Sequence, residues 1–281
     1  MKRPFSICML SALLWSHTAA AQTAAPLPSV SVSATRDPVD KSYRRMVQGM
    51  QRFARDHALA PHAQLRFQLL PRRPGVSLDG VRLRIAGDAI TLPVTLAPDH
   101  SFTLDYNEQA LREDAAVLAN RKTNSMTWRA QVRSPGVPPG MRRLGDLRLE
   151  CRVGVEAGLI STDGGLLDWL SDKLSDVADI CGTPNGNYLF FADRPLWGVT
   201  VRDGAREARL PFQMLYAGGT QTATERVHCD CQVLLEQTYF APIWDASWSD
   251  ETLLAFDDID DAGAPPIPPA AAQGTVQGAA Q

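Results

Sequence analysis

From Leu65 onward the hydrophobic period of this chain is two, and that period decides its fold class. Leu65-Arg-Phe-Gln-Leu69 alternates apolar with polar. Val81-Arg-Leu-Arg-Ile85 does so again, and beyond Ala86-Gly-Asp-Ala89 the run returns as Ile90-Thr-Leu-Pro-Val-Thr-Leu96. Successive side chains of a strand point to opposite faces, so each stretch carries one apolar face and one solvated face. The pair reads as a β-hairpin. Further strands are predicted at 102–106, 126–132, 147–155, 188–192, 197–201, 210–216, 226–235 and 238–242. Pro135-Gly-Val-Pro-Pro-Gly140 is a turn that no regular element can cross. The expected fold is mainly β: one or two antiparallel β-sandwich-like units with an N-terminal amphipathic helix and a mid-chain helix.

The first helix is predicted from Asp37, a capping residue followed by Pro38 at the first helical position. Val39, Tyr43, Met46, Val47, Met50 and Phe53 recur at helical spacing. Lys41, Arg44, Arg45, Arg52 and Arg55 occupy the other side, so this helix packs its stripe on the domain or lies on an anionic membrane surface; the first is preferred. The second helix is predicted from Asp163, with Leu166, Leu170, Leu174 and Val177 in its stripe and Gly182 closing it after Cys181. Its aspartates lack the spacing of an EF-hand and read as a solvated face. Between these helices, 81–93 resembles 199–211, and Cys151-Arg-Val-Gly-Val-Glu156 parallels Cys231-Gln-Val-Leu-Leu-Glu236, a pattern of two related β units.

The opening residues read as an export signal. Lys2 and Arg3 give a positive start, 7–15 is a short apolar run, and Ala19-Ala20-Ala21 offers a cleavage site before Gln22. That run falls well short of the about 20 apolar residues that cross a bilayer, so no transmembrane span is expected. The formal net charge is −3, and loss of Lys2 and Arg3 leaves the chain more acidic. A nucleic-acid binder needs a clustered basic face, so that class is excluded. Arginine far outnumbers lysine, which occurs only at Lys2, Lys41, Lys122 and Lys173. With the Ala and Pro content this points to a GC-rich bacterial genome, hence a periplasmic or secreted protein in an oxidising compartment.

Ser29-Val-Ser-Val-Ser-Ala-Thr-Arg36 is similar to the opening of mature TonB-dependent outer-membrane receptors, near the segment that contacts TonB. The resemblance covers eight residues and implies a plug domain and a large barrel beyond them. The remaining chain is too short for both, and 22–36 is read as a flexible leader.

His228-Cys-Asp-Cys231 raises the question of a metal or redox site. In a strand Val227, Cys229, Cys231 and Val233 share one face, while His228, Asp230 and Gln232 share the other. His228 then cannot join the cysteines on one zinc ion. By the same logic Cys151 faces the core with Leu147, Leu149, Val153 and Val155 on the predicted strand 147–155. Beyond the signal, Cys151, Cys181, Cys229 and Cys231 make an even count, and two disulfides are expected. Cys229 and Cys231 lie at roughly the 7 Å Cα limit for bridging to each other, so each is expected to pair with Cys151 or Cys181, the connectivity left open.

Catalytic patterns are sparse. Asp99-His100-Ser101 has the residue types of a triad, but adjacency splays the side chains, and it reads as a polar turn. Tyr239, Trp244 and Trp248 are the candidate binding residues, able to line a groove or to close the ends of the sheets. No metal ligands and no cofactor are assigned. The expected organisation is a signal peptide at 1–21, a leader at 22–36, a helix plus first β unit at 37–160, and an intervening helix at 161–186. A second β unit at 187–256 packs on the first, and a disordered acidic then Pro/Ala-rich tail runs over 257–281. The expected function is that of an exported, non-catalytic cell-envelope or interaction module with an envelope protein or a glycan as partner, its oligomeric state open. The alternatives are a secreted hydrolase with its site at the junction of the β units, or a Cys-x-Cys metal or redox protein.

Overall fold

In the computed structural model the described residues are 38–72, 75–122, 125–160, 180–184, 188–216 and 234–259. They lie within the unit spanning Thr35–Gln281. Its elements in order are β1 (Pro38–Ser42), α1 (Tyr43–Arg55), β2 (Gln64–Pro71), β3 (Leu83–Ala86), β4 (Thr91–Val94), β5 (Ser101–Phe102) and α2 (Glu108–Arg112). They continue with β6 (Ala116–Lys122), β7 (Met126–Arg133), β8 (Met141–Arg143), α3 (Leu144–Glu156), β9 (Phe190–Phe191), β10 (Leu196–Asp203), β11 (Arg206–Arg209), β12 (Thr238–Tyr239) and β13 (Leu253–Asp258). All the strand pairings described are antiparallel. The sheets run β1-β6-β3-β4, β5-β2-β7, β11-β10-β13-β8 and β12-β9, and the fold is mainly antiparallel β.

The expected hairpin forms: Leu83 pairs with Val94 and Ala86 with Thr91. Its turn is fastened from outside, because Glu113 accepts the backbone N–H groups of Ala89 at 2.8 Å and Ile90 at 3.2 Å. A second hairpin joins β10 to β11 with Asp203 opposite Arg206. In both hairpins the first strand is interior to its sheet and the second lies at the edge. The edges are protected as edges must be, by Pro93 in β4 and by the charged run Arg206-Glu-Ala-Arg209 in β11.

Three predicted elements change type, and the predicted strands 102–106, 188–192 and 238–242 shorten to β5, β9 and β12. Pro38 begins a strand rather than a helix: the ladder of β1 with β6 takes 38–42, and α1 starts at Tyr43 with the Ser42 hydroxyl accepting the Arg45 N–H. The predicted strand 210–216 is a short 3-10 turn at Phe212–Met214, initiated at Pro211, which has no N–H to give a ladder. The largest difference is 147–155, which is helical in α3.

That helix explains why a period of two was misleading. Leu149, Val153 and Ala157 belong to one apolar core, and Leu144, Leu147, Cys151 and Val155 to another. Two stripes at i, i+4 spacing, offset by two residues, lie about 200° apart around a helix. A helix buried on two opposite faces therefore writes the same alternation as a strand. The first core holds the α1 stripe (Tyr43, Met46, Val47) with Phe67, Leu69, Ile85, Val117 and Trp128. The basic side of α1 is tied by ion pairs to Asp114, Asp56 and Glu156. The second core holds Tyr188, Phe190, Leu196, Val199, Tyr239 and Leu254. Gly49 lets α1 approach α3, since a Cβ there would stand 2.7 Å from the Ala157 Cβ.

Candidate functional site

The site is built around the outer edge of β7, which among the described residues pairs with β2 alone. Among the described residues no strand covers the other side; the acids of α3 do. Glu150 Oε2 accepts the Val132 N–H at 2.9 Å, and one turn earlier Asp146 accepts the Ser134 N–H and hydroxyl, each at 2.7 Å. Arg142 donates to the Val132 carbonyl at 3.0 Å and to Glu150 at 2.8 Å. Carboxylate and guanidinium together replace the donor and acceptor of a neighbouring strand.

These charges are buried, Arg142 and Glu150 at 4% and 9% side-chain exposure. Burial alone would favour loss of the Arg142 proton; the charge and hydrogen bond of Glu150 outweigh it and hold its pKa above the ordinary value. Tyr188 and Tyr239, also buried, have their phenol pKa values raised by desolvation. The neighbouring Arg143 grips both carboxylate oxygens of Glu251 and donates to the Leu59 carbonyl at 2.7 Å.

Along β7, Trp128, Ala130 and Val132 enter the first core, which turns Arg129, Gln131 and Arg133 the other way. On β2, Gln68 and Leu70 share that outward face, with Gln68 opposite Arg129. This face is covered at a distance by the β9–β12 pair, in which Phe190 is buried in the second core and Phe191 is half-buried. Between floor and wall lies an open cleft of about 510 Å³, lined by Gln68, Gln131, Arg133, Phe191, Asp193 and Gln237 among others. A small inner recess of about 20 Å³, which shares Gln68, Gln131, Arg133 and Phe191 with the cleft, reaches Arg129, Arg142 and Glu150.

The cleft side chains hold one another. Gln131 donates its amide to Gln68 at 3.3 Å, Gln68 donates to the Asp99 carbonyl at 3.2 Å, and Arg133 pairs with Asp193 at 2.6 Å. The Arg129 guanidinium lies over one face of Phe191, 4.8 Å from the ring centroid. The result is a preorganised polar surface with one aromatic ring, its positive and negative groups interleaved.

The residues singled out from sequence fall elsewhere. Tyr239 is fully buried against Phe190 and Phe256. Trp248 is buried beneath Arg206, whose guanidinium lies 3.6 Å from the ring centroid, and Trp244 is packed on the second core. These rings pack in or against the second core; among the described residues the large exposed rings are Tyr106, Trp197 and Phe212. In the Asp99-His100-Ser101 turn, Asp99 accepts the Ser101 hydroxyl at 2.6 Å, and that hydroxyl accepts from Arg66 at 2.8 Å. His100 adopts φ 59°, a turn conformation. Among the described residues no three His, Cys, Asp or Glu groups converge to hold a metal ion.

The disulfide expectation needs correction. Cys151 bridges Cys181, with Cα atoms 5.9 Å apart. On a helix rather than a strand, Cys151 faces the second core, where Cys181 is buried too. The pairing of Cys229 and Cys231 with these two is thereby overturned. Cys229 and Cys231 lie outside the described residues, as do the residues predicted to form the signal and the leader and most of the predicted mid-chain helix. Asp257 and Asp258, assigned by sequence to the tail, belong instead to β13, which runs to Asp258, and they pair with Arg209 and Arg194.

Sequence reasoning missed Gln68, Arg129, Gln131, Arg133, Phe191 and Asp193 as site residues. The strand alternation marks the first four as outward-facing; nothing local marks that face as half covered.

Fold and site define a mainly antiparallel β protein that carries a polar, arginine-floored cleft beside a doubly buried helix. No protein-family model, curated protein or solved structure matches the chain. Among the described residues no helix is long and apolar enough to cross a membrane.

Proposed function

We propose that this chain is an exported, non-catalytic binding module of the bacterial cell envelope, and that it takes its ligand in the cleft between β7 and Phe191. The observation that carries this reading is the mutual engagement of the cleft side chains. Arg133 with Asp193, Arg142 with Glu150 and Gln131 with Gln68 form a fixed array of donors and acceptors. Such an array lowers the ordering cost of binding. Export is supported by the signal-like start and by the Cys151–Cys181 bridge, a bond that persists in oxidising compartments.

The test is cosedimentation of the exported chain with isolated envelope material, alongside a Gln131→Trp variant that fills the cleft. Wild-type protein in the pellet, variant in the supernatant and envelope material left intact support the reading. Equal pelleting of both, or release of soluble fragments by the wild type, contradicts it.

A second reading has one observation behind it. The Cys151–Cys181 bridge leaves Cys229 and Cys231 without the partners expected for them. This favours a Cys-x-Cys thiol pair suited to metal or redox chemistry. Alkylation of the unfolded, unreduced chain at both positions supports it; resistance at both removes it.

A further inference from the structure

We infer that the ligand of the cleft is a neutral, hydroxyl-rich oligosaccharide, an inference that rests on the cleft being the binding site. The lining decides the class. Gln68, Gln131, Gln237, Asp99, Asp193 and Arg133 all end in planar groups carrying two or more hydrogen-bonding positions. Such groups match vicinal hydroxyls, each of which donates and accepts. Phe191 is half-buried with Arg129 on one face, and an aromatic ring in such a wall offers its surface to the C–H face of a sugar ring.

Other classes fit less well. Apolar small molecules want a mostly hydrophobic lining, and this cleft has only Leu70, Phe191 and Ala192 to offer. A phosphate-rich polymer wants unopposed cations, whereas Arg133 and Arg142 are opposed by Asp193 and Glu150, and Asp99 adds a further carboxylate. An extended peptide would pair with the free edge of β7, but Glu150, Arg142 and Asp146 already occupy the backbone groups of Val132 and Ser134. At about 510 Å³ the cleft has room for a short run of sugar rings.

The experiment is ligand-detected NMR on the full exported chain. Its probes are chitotetraose, cellotetraose and maltotetraose, with tetra-alanine and inorganic phosphate as controls. At least one tetrasaccharide is expected to bind, with Phe191→Ala and Asp193→Asn each weakening it about tenfold at unchanged thermal midpoint, and Gln131→Trp abolishing it. Binding of tetra-alanine or phosphate that Gln131→Trp abolishes, with no saccharide bound, overturns the ligand class and leaves the cleft as the binding site. No probe binding that responds to Gln131→Trp overturns both.

Discussion

Glu150 of α3 and Val132 of β7 meet across the outer edge of the sheet, the carboxylate accepting the strand's N–H at 2.9 Å while Arg142 donates to its carbonyl. A side-chain ion pair thus does the work of a strand and joins α3 to the floor of the cleft. Because both charges are buried, removing one leaves the other uncompensated.

Glu150→Ala is therefore expected to destabilise the protein by about 3–5 kcal/mol, the usual cost of orphaning one member of a buried pair. The double change Glu150→Met with Arg142→Met is expected to cost less than Glu150→Ala. Urea unfolding of the three proteins measures the difference.

The α1–α3 crossing depends on the missing side chain at Gly49. A Cβ would stand 2.7 Å from the Ala157 Cβ and 3.1 Å from the Val153 carbonyl oxygen. Gly49→Val is expected to cost about 1–3 kcal/mol through overpacking, offsetting any gain in helix propensity. Ala157→Gly in the same chain should recover part of the loss, read as a rise in thermal midpoint.

Cys151–Cys181 closes a segment of sequence separation 30. In the chain-entropy account a loop of this size contributes roughly 3–4 kcal/mol, so Cys151→Ala with Cys181→Ala lowers stability by that order. Peptide mapping without reductant should recover the two cysteines in one linked species.

Acid sensitivity follows from carboxylates that the fold holds below their usual range. Backbone N–H donation from Ala89 lowers Glu113, the Ser249 hydroxyl lowers Asp203, and Arg143 lowers Glu251. Depressed folded values stabilise the native state at pH above the unfolded range of about 3.9–4.3. That stability is lost as pH falls through the folded values. The thermal midpoint should hold between about pH 7 and pH 5 and drop below about pH 4. Glu113→Gln should shrink that drop.

What the sequence discloses here is pattern, and what it withholds is which pattern-bearing face is covered. β2 and β7 stand out because their alternation faces one core, as does the hairpin of β3 and β4. α3 does not, because burial on two sides imitates a strand. β6, with Ala, Asn, Arg and Lys in Ala116–Lys122, forms by pairing with β1 and β3 rather than by propensity. The cleft residues of β7 are legible as outward-facing, but Asp193, the partner of Arg133, arrives sixty residues later in the chain. Only the tertiary fold brings the two together.

The most direct measurement of the central claim is amide NMR of the oxidised chain during titration with a neutral tetrasaccharide. The expected result is that chemical-shift changes gather at Gln68, Gln131, Arg133, Phe191, Asp193 and Gln237. Changes that gather instead at the exposed rings of Tyr106, Trp197 or Phe212, with the cleft amides unmoved, would contradict the account.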